Sequence, residues 1–153
     1  MATNNTSHTG VSKPDFEKML HRLLIQQGPP KKHWEELDKV ANNSIFLSLK
    51  GGYGGQLCFE WKVQRTSKSK PYLPNQALLA HIERDIKAFE TAVSVAIGQP
   101  VKWEPNGKGG GDNAIFSLFC PISPNKLEDK ITWAEHAYPL FARAIQQHTS
   151  TDA

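Results

Sequence analysis

Residues 44–65, SIFLSLK-GGYGG-QLCFEWKVQR, decide the fold, because two apolar runs rich in β-forming residues flank a glycine-rich tip. Such a pattern predicts a β-hairpin. Side chains alternate between the two faces of a strand, so the second run has an apolar face and a polar face. The apolar face carries Leu57, Phe59, Trp61 and Val63, and the polar face carries Cys58, Glu60, Lys62 and Gln64.

Outside the hairpin, apolar residues recur every three or four positions in four segments, which predicts four helices. The first begins at Pro14 and stops before residues 28–30, and the others span about residues 32–41, 76–97 and 127–146, with a kink or break at Pro139. A second strand pair, 101–105 and 113–121, flanks a glycine-rich tip at 106–112 whose length suggests a mobile loop. We therefore expect an α+β domain in the order ααββαββα, with a four-stranded, mainly antiparallel sheet packed by helices on one face.

The length of 153 residues fits one domain, which we place at residues 14–147 between two polar tails, 1–13 and 148–153, that we expect to be disordered. No apolar run reaches the roughly 18 residues that a membrane span needs. The N-terminal stretch also lacks the basic start and apolar run of a secretory signal. We therefore expect a cytoplasmic protein that does not engage a membrane.

The cysteines and the net charge exclude little on their own. Cys58 and Cys120 lie in strand-like runs, without the spacing of a metal site or the density of a disulfide scaffold, so we expect buried thiols. A net charge of +3 permits a polyanionic partner but does not require one.

The tripeptide Glu60-Trp61-Lys62 is the E-x-K pattern that many metal-dependent nucleases carry on the second strand of a hairpin. Mg²⁺ requires several oxygen ligands, so a second carboxylate must reach the same ion. The paired run, SIFLSLK, contains no acid. The nearest upstream acids, Glu35, Glu36 and Asp38, lie in the predicted short helix. A solvated ion pair is the simpler interpretation, and a nuclease or degenerate nuclease using Glu60 and Lys62 stays the main alternative.

Basic residues collect between the second strand and the loop that follows it, which raises the possibility of a nucleic-acid surface. The candidates are Lys62, Arg65, Lys68, Lys70 and Tyr72, widened by Lys50, Lys102 and Lys108 from neighbouring strands and tips. Such lysines would contact phosphates, and Tyr53 and Tyr72 would stack on bases. Lysines in a Ser-rich loop also serve simply to keep it solvated.

A protein partner is the competing interpretation. Both glycine-rich tips combine a flexible backbone with a reachable side chain, and an exposed aromatic residue is a common interface anchor. Tyr53 is the first candidate for such an anchor, although its ring could equally fold back over the hairpin.

The C-terminal part of the chain, mainly residues 83–145, resembles an uncharacterised domain found C-terminal to restriction-endonuclease-like nuclease modules. A long helix leads to GQPVKWEP, a glycine-rich gap, AIFSLF and a closing helix with WAEHAYPLFARAI. The matching residues are Glu90, Gly98, Val101, Trp103, Ile115, Trp133 and Phe141. The resemblance implies an accessory module of a prokaryotic defence, phage, plasmid or mobile-element system, with no catalytic residue to carry over.

The sequence thus predicts a non-enzymatic binding protein that engages a larger protein partner and needs no metal or cofactor. The predicted binding residues are Tyr53, Lys62, Arg65, Lys68, Lys70, Tyr72, Lys102 and Lys108. The nuclease and the nucleic-acid-binding accessory protein stay open as alternatives, and the sequence does not define the oligomeric state.

Overall fold

The computed structural model describes residues 11–24, 32–105, 113–121 and 127–149. These residues form four helices and seven strands in an α+β arrangement. In chain order they are α1 Lys13–Leu24, β1 Trp34–Val40, β2 Asn43–Lys50, β3 Gln56–Gln64, β4 Thr66–Ser67, β5 Lys70–Pro71, α2 Gln76–Glu83, α3 Ile86–Ile97, β6 Lys102–Glu104, β7 Asn113–Phe119 and α4 Leu127–Thr149. One turn of 3-10 helix, Leu73–Asn75, precedes α2.

The main sheet has five strands in the order β1-β2-β3-β7-β6, and every neighbouring pair is antiparallel. Both predicted hairpins are present, and they join along β3 and β7. Strands β4 and β5 form a separate two-stranded hairpin. The α+β class and the largely antiparallel sheet are therefore confirmed, whereas the predicted number of four strands is wrong.

The fifth strand comes from residues 32–41, where the prediction of a helix is wrong. Residues 34–40 form β1, and a two-residue turn at Ala41 and Asn42, both with positive φ, leads into β2. The register shifts between Glu36 and Asp38, so a bulge lies at Leu37 and reverses the alternation of side chains. The spacing of Trp34, Leu37 and Val40 that suggested a helix is produced by this bulged strand.

The predicted helix at residues 76–97 is interrupted and becomes α2 and α3. Asp85 stands between them as the N-cap of α3, and its side chain accepts a 3.1 Å hydrogen bond from the amide of Ala88. An N-cap aspartate bonds the backbone of the next helix in preference to continuing the previous one. The element order therefore differs from ααββαββα. Helix α4, in contrast, runs to Thr149 with Pro139 inside it.

The helices pack on the face of the sheet formed by alternate residues of β2, β3 and β7. The ring of Phe59 on β3 stacks on Trp133 and Tyr138 of α4, with centroid distances of 5.4 and 5.6 Å. The indole of Trp61 donates to the carbonyls of Val40 and Asn43, both at 3.1 Å. The predicted apolar face of β3 is confirmed as part of the core.

Both ends of the described fold extend beyond the predicted domain limits. Val11 is 1% exposed, and its amide donates to the carbonyl of Gly55 at 3.0 Å. At the other end, Thr149 is buried, and the ring of His81 contacts the carbonyl of His148 at 3.0 Å. Residues 1–10 and 150–153 of the predicted tails, and the predicted mobile tip at 106–112, lie outside the described residues.

The outer edge of β6 is closed by side chains. The amide of Val101 donates to the hydroxyl of Ser94 at 3.2 Å, and the amide of Trp103 donates to the carboxylate of Glu90 at 2.7 Å. The guanidinium of Arg65 donates to the carbonyl of Pro105 at 2.9 Å. Residues 101, 103 and 105 are the alternate positions that point away from β7, and the amides of Val101 and Trp103 and the carbonyl of Pro105 are thus engaged within the molecule.

Candidate functional site

The face of the sheet opposite the helices is polar, and we call it the open face. Its position follows from the strand register, since side chains paired across neighbouring strands point the same way. It consists of Trp34, Glu36 and Lys39 on β1, Ser44, Phe46, Ser48 and Lys50 on β2, Gln56, Cys58, Glu60, Lys62 and Gln64 on β3, Lys102 and Glu104 on β6, and Asn113, Ile115, Ser117 and Phe119 on β7.

A cavity of about 600 Å³ occupies the centre of the open face. We call it the Glu60 pocket, and it is lined by His33, Trp34, Ser48, Leu49, Lys50, Gly51, Glu60, Lys62, Asn113 and Ile115. The cavity extends from the middle of β3 to Trp34 at the start of the edge strand β1, so the strand at residues 34–40 contributes one side of it.

The carboxylate of Glu60 is held in this pocket by one distant ammonium group. The side chain of Glu60 is 7% exposed, and its Oε2 lies 3.8 Å from Nζ of Lys50. The same Nζ lies 4.0 Å from Oε1 of Glu104 on β6. Within the described residues, the carboxylate of Glu60 accepts no hydrogen bond. We call Lys50, Glu60 and Glu104 the ionic cluster.

Lys62, the lysine of the E-x-K tripeptide, points to aromatic rings. Its Nζ lies 4.9 Å from the ring centroid of Phe46 and 5.7 Å from that of Trp34. Both distances are within the range of a cation–π interaction. Lys62 is therefore not the cation that accompanies Glu60 in this structure.

Two further open-face residues adjoin Glu60. Ser117 is the residue paired with Glu60 on β7, and its buried hydroxyl has no hydrogen-bond partner among the described residues. Cys58 precedes Glu60 on the same face of β3, and burial, followed by the charge of Glu60, raises the pKa of its thiol far above the ordinary value. A thiol with so high a pKa stays protonated and is not a nucleophile. Cys58 and Cys120 are both buried, as predicted.

Arg65 has a structural partner. Its guanidinium makes a two-pronged salt bridge with Glu83 on α2, and the indole of Trp103 donates to the same carboxylate at 2.9 Å. The hydrogen bond from Arg65 is the main cause that lowers the pKa of Glu83, and the same bond raises the pKa of Arg65. The guanidinium is thus engaged within the fold.

The other predicted binding residues lie in three separate places. Lys62 and Lys102 are on the open face, whereas Lys68, Lys70 and Tyr72 belong to or follow the β4–β5 hairpin beyond the end of β3. Tyr53 lies in the turn before β3, is 40% exposed, and makes edge contacts with Phe16 and His33. The turn and the small hairpin are at opposite ends of a nine-residue strand. Lys108 lies outside the described residues.

The ligand set for a metal ion is incomplete around Glu60. Glu104 supplies the second carboxylate that the nuclease interpretation requires, but Lys50 stands between the two acids. Across the described part of the chain, no group of three or more His, Cys, Asp or Glu side chains could hold a metal ion. Among the described helices, none combines the length and apolar character that a membrane crossing requires.

Sequence reasoning missed the pocket residues Trp34 and His33, the second acid Glu104, and Ser117. Alternation along VKWEP does place Lys102 and Glu104 on one face of a strand, so the orientation of these two side chains in β6 could be predicted. What the sequence did not show is that β7 lies beside β3, which brings Glu104 and Ser117 to Glu60.

Comparison with known proteins gives no relative: no protein-family model, curated protein or solved structure matches this chain. The functional proposals below accordingly depend on the geometry of the open face.

Proposed function

We propose that this protein is a non-enzymatic binding protein, and that a segment of a larger protein partner occupies its open face at the Glu60 pocket. The observation that carries the proposal is the state of Glu60: its side chain is 7% exposed, yet within the described residues it has only an ammonium group at 3.8 Å. A carboxylate withdrawn from bulk water is costly unless its oxygens accept hydrogen bonds. A bound partner would supply the donors that the fold does not.

The charges on the open face favour a protein partner over a polyanion. The face carries four lysines and three glutamates, namely Lys39, Lys50, Lys62 and Lys102 and Glu36, Glu60 and Glu104. A surface that binds the nucleic-acid backbone normally carries a strong excess of positive charge. Mixed charges around a concave centre suit a protein segment with mixed charges of its own.

An accessory role in a prokaryotic defence, phage or mobile-element system is a further part of the proposal, and it rests on the sequence resemblance of residues 83–145 alone. That step is an analogy, because function is located in sites and not in folds. The direct support for binding is the pocket itself.

The binding function is tested by panning a random peptide display library against the immobilised protein. Peptides that bind the open face should lose at least tenfold in affinity on Glu60→Gln and on Lys62→Ala. Val95→Asn is the matched control, because Val95 is 76% exposed on α3 and lies on the helical side. No enrichment, or equal affinity for all variants, would contradict the proposal.

A nuclease stays the second candidate because Glu60 and Lys62 line one concave site, and a second carboxylate, that of Glu104, lies 4.0 Å from the ammonium group of Lys50, which also neighbours Glu60. Incubation of the protein with DNA and Mg²⁺, beside Glu60→Ala, separates the two functions. Cleavage by the wild-type protein that the variant lacks would replace the binding proposal.

A nucleic-acid-binding function would use Lys68, Lys70 and Tyr72, which lie on or beside the exposed hairpin. Retardation of a short oligonucleotide at low salt, steeply weakened by added salt, would support it. We expect no retardation.

A further inference from the structure

A second cavity lies on the open face, at the point where β6 and β7 part. Their pairing ends at Lys102 and Ser117. The next residue of the ladder on that side would be Pro100, which has no N–H to donate. The carbonyl of Phe119 accepts instead a 2.7 Å hydrogen bond from the side-chain amide of Gln99. The ladder therefore stops, and a cavity of about 330 Å³ lies beside its end. We call it the Ser117 cavity.

The walls of the Ser117 cavity are mostly apolar. They include Pro100, Val101, Phe119 and Pro121. Cavities that bind small molecules measure about 300–1,000 Å³ and have mainly apolar walls with a few polar groups. The Ser117 cavity thus has the size and character of a site for a small apolar group.

A hydroxyl group without a partner interrupts these apolar walls. Ser117 lines the cavity, is 3% exposed, and its hydroxyl has no hydrogen-bond partner among the described residues. Buried hydroxyl groups in folded proteins are nearly always hydrogen-bonded. The strand register places this side chain on the open face beside that of Lys102. A ligand with a polar end would supply the partner that the fold does not.

A positive charge stands beside that hydroxyl. Lys102 lines the same cavity, is exposed, and forms no ion pair within the described residues. Its neighbouring acids on the open face, Glu60 and Glu104, each lie within 4.0 Å of the ammonium group of Lys50. The charge of Lys102 is therefore available to a ligand. A hydroxyl and an ammonium group side by side are both donors to a carboxylate.

We infer that the Ser117 cavity binds a small carboxylic acid with an apolar chain. The carboxylate accepts hydrogen bonds from Lys102 and Ser117, and the chain leaves water to lie against Val101 and Phe119. The inference goes beyond the proposed function, because the ligand is a small molecule and the cavity does not include Glu60.

Other ligand classes fit the cavity less well. An amine would bring a second positive charge to Lys102. A hydrocarbon would leave the hydroxyl of Ser117 unpaired, and inorganic phosphate has no apolar part to cover the walls. A peptide that ends in an apolar residue carries the same chemistry at its C-terminus, so the test includes one.

The test titrates the isotopically labelled protein with hexanoate, hexanamide and pentylammonium, which share a pentyl group and differ in the charge of the end group. We expect hexanoate to bind in the millimolar range, as suits a ligand with few atoms, and to shift the amide resonances of Lys102, Ser117 and Phe119. We expect at least fivefold weaker binding of hexanamide and none of pentylammonium. Acetyl-Gly-Gly-Leu with a free carboxylate should bind no more tightly than hexanoate. Tenfold tighter binding of this peptide would overturn the assignment to a free acid.

Substitutions of the two polar residues locate the contact. Lys102→Met keeps the length of the side chain but removes its charge, and it should weaken hexanoate at least fivefold. Ser117→Ala should weaken it several-fold without lowering the free energy of unfolding, because the hydroxyl has no partner within the described fold. Lys87→Met is the matched control and should leave the affinity unchanged, because Lys87 is exposed on α3 and lies on the helical side.

Equal binding of hexanamide, shifts confined to residues away from the cavity, no binding of hexanoate at millimolar concentration, or retained affinity in Lys102→Met would overturn the inference. The proposed function is tested separately. Glu60→Gln should weaken peptides bound at the Glu60 pocket, but it should not weaken hexanoate, because the carboxylate of Glu60 repels an anion.

Discussion

Replacing Glu60 with leucine should make the protein more stable while removing its proposed ligand contact. At 3.8 Å and an effective dielectric constant near 20, the attraction between Glu60 and Lys50 is about 4 kcal/mol before water is considered. Lys50 is 43% exposed, so solvent screens much of this attraction. The desolvation of the buried carboxylate costs several kcal/mol, about as much as the attraction returns.

A leucine at position 60 avoids that desolvation and buries apolar surface beside Phe46. We therefore expect the free energy of unfolding to rise by about 1 kcal/mol, and the melting temperature by roughly 2–4 °C. Urea denaturation with an unchanged m-value measures the effect. Glu36→Leu is the matched control, since Glu36 also pairs with its neighbour Phe46 but is exposed, and it should change stability by less than about 0.5 kcal/mol.

Removing the cation of the same cluster should change the free energy of unfolding in the opposite direction. Lys50→Met leaves Glu60 and Glu104 without their cation, so we expect it to destabilise the fold by about 1–2 kcal/mol. If Glu60→Leu instead lowered the free energy of unfolding by more than about 1 kcal/mol, the carboxylate would be stabilising the fold and the reasoning behind the site would be wrong.

Three further predictions concern the scaffold, each measured by urea denaturation. Ala41→Gly should stabilise the fold by about 0.5–1 kcal/mol, because residue 41 has a φ of 51° that glycine adopts without strain; a loss would contradict this. Asn75→Ala should cost about 2 kcal/mol, because it removes both hydrogen bonds between the buried side chains of Asn75 and Asn43 and leaves Oδ1 of Asn43 without its donor; a neutral result would show that water replaces the bonds. Glu83→Gln should cost about 2 kcal/mol at pH 7, because it breaks the pair with Arg65. The lowered pKa of Glu83 means that its contribution is present above the ordinary value of 4.5 and is lost as the pH falls through the folded-state pKa, so wild type and variant should converge in acid; a constant gap would refute the linkage.

The sequence predicted the secondary structure correctly wherever the local pattern and the tertiary contacts favour the same structure. The hairpin around residues 51–55 and the two faces of β3 follow from glycine positions and alternation alone. The helix prediction for residues 34–40 was wrong because glutamate, leucine and lysine favour helices in isolation. Their pairing with β2 as a strand depends on contacts made by another segment. The break between α2 and α3 was missed for a similar reason, because the helical spacing of apolar residues continues across Asp85, the N-cap of α3.

The candidate site was predictable only in part, for a related physical reason. Glu60 and Lys62 were identified from one strand, where alternation decides which side chains are neighbours. Glu104 and Ser117 reach Glu60 through the pairing of β3 with β7, a long-range contact that no local pattern encodes. The sequence thus identified the E-x-K pair and missed the neighbouring side chains that decide what this pair can bind.

The hydrogen bonds that Ser94, Glu90 and Arg65 make to residues 101, 103 and 105 limit how copies of this protein could assemble. A strand from a neighbouring molecule finds no vacant amide at residues 101 and 103, so the main sheet could be lengthened only beside β1. In a pair of copies joined through β1, the strand at each end of the combined sheet would be β6, whose amides at residues 101 and 103 are already bonded. Within the part of the chain that the structure describes, strand addition to the main sheet would stop at a pair and could not propagate into a fibre.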